Sequence, residues 1–141
     1  MRFSAFQSYA DSIGVAVDVV AEAQDSDYET GIAQLPDGSW HIRTARNTPT
    51  KPGAFVAFWR RDSAGRTAPF PQDDAAAGLL VFVEQNDRRG VFRFTRSHLA
   101  DLGITAGPGK RGFRVYPTWC VGLNATARAT QHAQSPAFTE Y

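Results

Sequence analysis

The sequence predicts a single α/β domain over residues 1–141, a mixed, mostly antiparallel sheet flanked by helices. Three observations lead there. Segments rich in β-branched and aromatic residues are joined by short turn signals, Asp37-Gly38 and Asn86-Asp87-Arg88-Arg89-Gly90. Two runs, 54–59 and 79–83, are apolar almost throughout, as strands covered on both faces are. Helical spacing or caps mark residues 3–13, 95–102 and 124–134. A chain of this length buries most of its apolar surface without disulfides, and no repeat or linker divides it.

In chain order, Phe3, Phe6, Ala10 and Ile13 recur at three- and four-residue intervals, the pattern of a short amphipathic helix. After Gly14, Val15, Val17 and Val19 alternate, so residues 15–20 read as extended, although helical spacing also continues through Val17 and Val20. An acidic run, 22–29, leads into a hairpin whose strands, 30–35 and 39–45, flank Pro36-Asp37-Gly38. In its second strand Trp40 and Ile42 face one way, and His41, Arg43 and Ala45 the other. Pro49 and Pro52 make 47–53 neither helix nor central strand, because each lacks a backbone donor.

Residues 60–76, rich in Arg, Asp, Pro and Gly, read as an irregular connection. Strand 79–83 returns as 91–94, with Phe92 and Phe94 inward and Val91 and Arg93 on the opposite face. Thr95 or Ser97 can cap a helix that stops at Gly103. Residues 111–116 form a strand ended by Pro117, with Gly112, Arg114 and Tyr116 on one face, and Asn124 caps an Ala-rich helix to about Gln134.

Charge is distributed unevenly. Residues 1–42 carry a net −6 and residues 43–141 a net +7. Cations cluster at 43–66 (net +5) and 88–114 (net +6). Arg outnumbers Lys 13 to 2, and the planar guanidinium matches phosphate bidentately. Trp59, Tyr116 and Trp119 punctuate the clusters, as stacking platforms for bases would. Together these features point to a nucleic-acid or phosphate-binding surface.

Other chemistries fail on spacing. Gly107-Pro108-Gly109-Lys110 has the end of a phosphate-binding loop, but Ile104 stands at its first Gly and Arg111 at its Ser/Thr. His41, His98 and His132 lack the spacing of a zinc site. No Gly-x-Ser-x-Gly elbow occurs, and Cys120, beside Trp119, reads as a small hydrophobe. One cysteine, no signal segment and no apolar stretch of about 20 residues lead us to expect a soluble cytoplasmic protein.

Several blocks resemble the MepB-like proteins. They are Tyr28-Glu29, Arg43-x-Ala45-Arg46-x-Thr48-Pro49-Thr50-Lys51-x-Gly53-x-Phe55-Val56-x-x-Trp59-Arg60-Arg61, Pro69-Phe70, and Gly109-Lys110-Arg111-x-Phe113-Arg114-Val115-Tyr116-Pro117-x-Trp119. Order and spacing agree from about residue 14 to about residue 131. The resemblance implies a fold similar to restriction-endonuclease-like nucleases, and with it a question about cleavage.

Such nucleases place an acid, a Pro-Asp and an acid-x-Lys on adjacent strands, where carboxylates hold Mg²⁺ and Lys orients water. By that pattern Glu29 is the candidate first acid, while Pro36-Asp37 matches by letters but sits in a hairpin turn. If Arg46 takes the Lys place, as the family resemblance suggests, the acid position of acid-x-Lys is Thr44. Thr cannot supply a charged ligand, and Arg cannot act as a neutral base near pH 7.

The expected function is therefore binding of DNA or RNA around a degenerate nuclease-like site, with no cofactor. Arg43, Arg46, Lys51, Arg60, Lys110, Arg111 and Arg114 would contact phosphates, Trp59 or Tyr116 would stack, and Glu29 would order Arg46 or persist as a vestigial acid. One alternative is a divergent Mg²⁺-dependent nuclease or other phosphodiester-acting enzyme using Glu29 with Asp73 or Asp74. Another is a module whose basic cleft takes a small anion or a protein.

Overall fold

A computed structural model describes residues 3–17, 19–21 and 30–141. The described elements are helix α1 (Ser4–Ser12), strands β1 (Val19–Ala21), β2 (Gly31–Leu35), β3 (Gly38–Thr44), β4 (Arg46–Asn47), β5 (Ala54–Ala57), β6 (Arg60–Arg61), β7 (Thr67–Ala68), β8 (Gly78–Gln85) and β9 (Arg88–Thr95), helix α2 (Arg96–Asp101), strand β10 (Gly112–Val115), helix α3 (Ala125–Gln134), a 3-10 turn (Ser135–Ala137) and strand β11 (Phe138–Glu140). Six strands form one sheet in the order β1-β2-β3-β8-β9-β11, antiparallel except for the central β3–β8 pair. A second sheet, β10-β5-β4, is antiparallel, and β6 pairs with β7. The fold is thus an α/β domain with a mixed, mostly antiparallel sheet.

Local chemistry explains the turns. Leu35 pairs with Gly38 across Pro36-Asp37, and Trp40 Nε1 donates to Asp37 Oδ1 at 2.9 Å, fastening the turn to its strand. Gln85 pairs with Arg88 across Asn86 and Asp87, both at positive φ, a two-residue turn that suits the strand twist. Thr95 caps α2 by accepting from His98 N, and Asn124 caps α3 by accepting from Ala127 N at 2.8 Å.

The large sheet is covered on both faces. α1 lays Ala5, Phe6 and Ala10 over Trp40, Ile42, Leu80, Phe82 and Val91. The opposite face, with Leu79, Val81, Val83, Phe92 and Phe94, meets Ala54, Val56, Phe113 and Val115 of the small sheet and Leu99 of α2.

Three expectations change. The apolar run 54–59 is not a strand of the large sheet covered on both faces. β5 is the centre of the small sheet and buries only alternate residues, Ala54 and Val56. The chain leaves the large sheet at Ala45, whose N–H still donates to Phe82 O at 2.8 Å, before β4 joins the other. Segment 60–76 is not wholly irregular, since it holds the β6–β7 hairpin. Of residues 15–20, only 19 and 20 belong to a strand, and residue 18 lies outside the described residues.

The His41–Asp74 contact ties that connection to the sheet. His41, buried on β3, places Nε2 2.8 Å from Asp74 Oδ2, and Ala76 N also donates to that oxygen. Burial raises the Asp74 pKa, but His41, the Ala76 amide and the nearby Arg60 outweigh it and leave the carboxyl below its ordinary value. A lowered pKa stabilises the fold above the unfolded value, near 3.8, and the contribution fades as pH falls through the lowered one. Asp74→Asn should therefore destabilise the fold at neutral pH. The difference from the parent should shrink as urea unfolding is repeated at pH values falling from 3.8 through the lowered Asp74 pKa.

Candidate nucleic-acid interface

Strand pairing assembles a basic row on the small sheet. Phe55 of β5 is the register partner of Arg46 on one side and of Arg114 on the other. Residues directly opposite in a sheet share a face, so this face carries cation, aromatic, cation across three strands. The intervening residues Ala54, Val56, Phe113 and Val115 are buried toward the core. Gly112 leaves room for the Phe55 ring, because a Cβ there would lie 2.5 Å from Phe55 Cζ.

The proline-rich turn between β4 and β5 is fastened from two sides. Arg114 donates through one terminal nitrogen to Thr48 Oγ1 at 2.5 Å and Pro52 O at 2.9 Å. Gln85 donates through Nε2 to Asn47 Oδ1 and Gly53 O, each at 3.0 Å, while its Oε1 accepts from Trp119 Nε1 at 2.9 Å. Asn47 donates in turn to Glu84 O at 2.7 Å. With both ends of its amide engaged, Gln85 positions the turn and has little capacity left for a ligand. Lys51 stands exposed on this braced turn.

Two clefts border the turn. One, of about 470 Å³, lies toward Gln85, Asn86, Trp119 and Cys120. The other, of about 350 Å³, is lined by Lys51, Pro52, Arg114, Tyr116, Asn124, Thr126 and Ala127. Burial pushes the Cys120 thiol above its usual range, which keeps it protonated and a poor nucleophile.

Of the residues expected to bind, Arg46, Lys51, Arg114 and Tyr116 surround the turn and its sheet face. Trp59, Arg60, Lys110 and Arg111 gather beyond the other end of β5, where Phe58 N donates to Arg111 O at 2.9 Å. Lys110 and Arg111 are exposed there, and Arg111 Nε donates to Thr67 O at 3.2 Å. Arg60 spends its Nε on Pro69 O at 3.1 Å, and the Arg61 guanidinium lies 5.0 Å from the Trp59 ring centroid. That cation covers part of the stacking surface expected of Trp59.

Arg43 is corrected. It is 0% exposed, donates to Ile42 O at 2.9 Å and lies over the Phe58 ring, so it cannot be a surface phosphate contact. Its strand parity pointed it into the space between the two sheets. Glu29 and its neighbour Tyr28 lie outside the described residues.

The second sequence cluster splits. Arg88 pairs bidentately with Glu140 and lies over Trp119, Arg89 reaches Ser8 and Tyr141, and Arg93 pairs with Asp37 above Trp40. Those three serve packing. Only Lys110, Arg111 and Arg114 of that cluster reach the small sheet.

The nuclease pattern is not assembled on the same strand. Thr44 ends β3 in the large sheet and Arg46 begins β4 in the small one. Asp37 is held in its turn by Trp40 and Arg93, and Asp74 by His41. Among the described residues, no group of three His, Cys, Asp or Glu side chains is placed to hold a metal ion. No described helix is long and apolar enough to cross a membrane. Gln85 and Thr126 carried no local signal in the sequence, and Asn124 was legible only as a cap.

Among curated proteins no match is found. The crystal structure of MepB superposes with a TM-score of 0.85 at 31% identity, covering 98% of this chain and 97% of that one. A family model described as MepB-like matches residues 22–140, which include the turn, the small sheet and α3. The chain belongs to the MepB-like family.

Proposed function

We propose that this protein binds nucleic acid by its phosphates, using Arg46, Lys51 and Arg114 around the proline-rich turn and Lys110 and Arg111 at the far end of the same sheet. The observation that carries the proposal is the cross-strand row Arg46–Phe55–Arg114, which brings two arginines to either side of a phenylalanine on one face of the small sheet. Phosphates are gripped by such cations, and a base or sugar can rest on the half-buried ring between them. Tyr116, beside the turn, offers a second aromatic surface.

We propose in addition that the fold is akin to that of restriction-endonuclease-like nucleases. In it, Thr44 at the end of β3 supplies no carboxylate and Arg46 at the start of β4 keeps a cation, so the protein grips without cutting. Binding of DNA or RNA in the cytoplasm needs no cofactor.

A mobility-shift assay with single- and double-stranded DNA and RNA of mixed sequence tests the proposal. Salt-sensitive complexes are expected, with substrates recovered intact after incubation with Mg²⁺ or Mn²⁺. Absence of any complex at low salt would refute binding, and shortened products would refute grip without cutting.

A further inference from the structure

We infer that Gln134, the last residue of α3, is a positioning residue for the nucleic-acid interface, setting Arg114 and Tyr116 from the outer edge of the small sheet. This rests on the proposed nucleic-acid binding and names what holds two of its residues in place. Gln134 is 2% exposed, so its amide is satisfied by the protein and not by solvent. Its Nε2 donates to Arg114 O at 2.8 Å, and its Oε1 accepts from Tyr116 N at 2.9 Å. The Tyr116 amide can only donate and the Arg114 carbonyl can only accept, so one orientation of the side chain satisfies both.

Those two bonds are the ones a residue of a further strand would make. β10 stands at the edge of its sheet, paired with β5 alone. Arg111 O accepts from Phe58 N on the β5 side, so by alternation the Arg114 carbonyl and the Tyr116 amide lie on the open side. A single glutamine side chain fills the place of the next strand there. Gln131, one turn earlier on the same helix face, donates through Nε2 to Pro117 O at 2.9 Å and to Cys120 O at 3.1 Å. α3 thus splints the chain from Arg114 to Cys120.

The backbone held in this way carries binding groups. From it the Arg114 guanidinium reaches Thr48 Oγ1 and Pro52 O and so fastens the proline-rich turn. The Tyr116 ring packs against Gly53, the last residue of that turn, where a Cβ would lie 2.8 Å from Tyr116 Cδ1. Lys51 stands exposed on the same turn. Loss of the Gln134 bonds should therefore release Arg114, Tyr116 and Lys51 together. Arg111 is fastened separately, by Phe58 N and by Thr67 O, and should stay in place with Lys110.

Gln134→Glu is the informative variant, because its carboxyl can make both bonds when protonated and loses the donor when ionised. Burial beside the Arg114 carbonyl favours the protonated form as pH falls. Oligonucleotide affinity is measured at about pH 8 and about pH 5, as a ratio to the parent at each pH and below the thermal midpoint of both proteins. The variant should bind about 10-fold weaker at the higher pH and recover most of that loss at the lower. Gln134→Met, of similar volume but with neither bond, should show the loss at both. In an Arg114→Ala plus Tyr116→Ala background the Gln134→Met loss should vanish, whereas in Lys110→Ala it should persist in full. A glutamine that served only the fold would cost the same in both backgrounds.

Parent-like affinity in both Gln134 variants would overturn the positioning role and leave nucleic-acid binding standing. So would an equal Gln134→Met loss in the two backgrounds, or a Gln134→Glu loss that pH leaves unchanged. A parent protein that forms no complex with any oligonucleotide would overturn the nucleic-acid proposal, and this inference with it.

Discussion

Arg46→Glu combined with Lys51→Glu should weaken oligonucleotide binding by about 100-fold at about 100 mM salt, read by fluorescence anisotropy. Each side chain stands to lose a charge-assisted contact to phosphate, and each new carboxylate repels the same strand. Both residues are exposed, on β4 and on the braced turn, so the thermal midpoint should move little. Arg66→Glu with Arg96→Glu makes the same charge change at exposed positions off the basic row, and should cost several-fold at most. Equal losses in the two pairs would mean that net charge alone governs binding. No loss in the first pair would remove Arg46 and Lys51 from the interface.

Gly53→Ala should destabilise the protein by about 2–4 kcal/mol, lowering the thermal midpoint by several degrees. Two effects add. Gly53 has a φ of 75, which an L side chain adopts only with strain, and an added Cβ would lie 2.5 Å from Val115 O and 2.8 Å from Tyr116 Cδ1. The backbone oxygen cannot swing away, because β10 is paired with β5. Gly65→Ala provides the comparison. It has a similar φ of 79 but meets nothing within 4 Å, so only the conformational strain remains, about 1 kcal/mol. Calorimetry of both variants separates crowding from strain. Because Gly53 also seats Tyr116 and anchors Gln85, binding should fall along with stability in the first variant only.

The parts legible in the sequence are those set by neighbours in the chain. Pro36-Asp37-Gly38 and Asn86-Asp87 declare their turns through backbone preferences, and Thr95 and Asn124 declare their helices through capping. Alternation also placed Trp40 and Ile42 opposite His41 and Arg43 correctly. Alternation gives the side of a strand and not what covers that side. Arg43 therefore read as a surface cation, although Phe58 and the small sheet enclose it.

The same limit hid the change of sheet at Ala45. A run of apolar residues at 54–59 fits the centre of either sheet equally well. Strand β11 was missed because three residues after a 3-10 turn carry almost no periodic signal. The arginines were ambiguous for another reason, since charge is local but pairing is not. Arg88 meets Glu140, 52 residues away, and Arg93 meets Asp37, 56 residues away, whereas Arg46 and Arg114 become neighbours only through Phe55.

The salt dependence of oligonucleotide affinity tests the central claim most directly. With Arg43 buried and the half-exposed Arg60 turned onto Pro69 O, the remaining set is Arg46, Lys51, Lys110, Arg111 and Arg114. Four or five phosphate contacts predict a plot of log affinity against log salt with a slope of about −3 to −4, reduced by about 1–2 in Arg46→Glu plus Lys51→Glu. A flat plot, or a slope that the double variant leaves unchanged, would contradict phosphate binding at this surface.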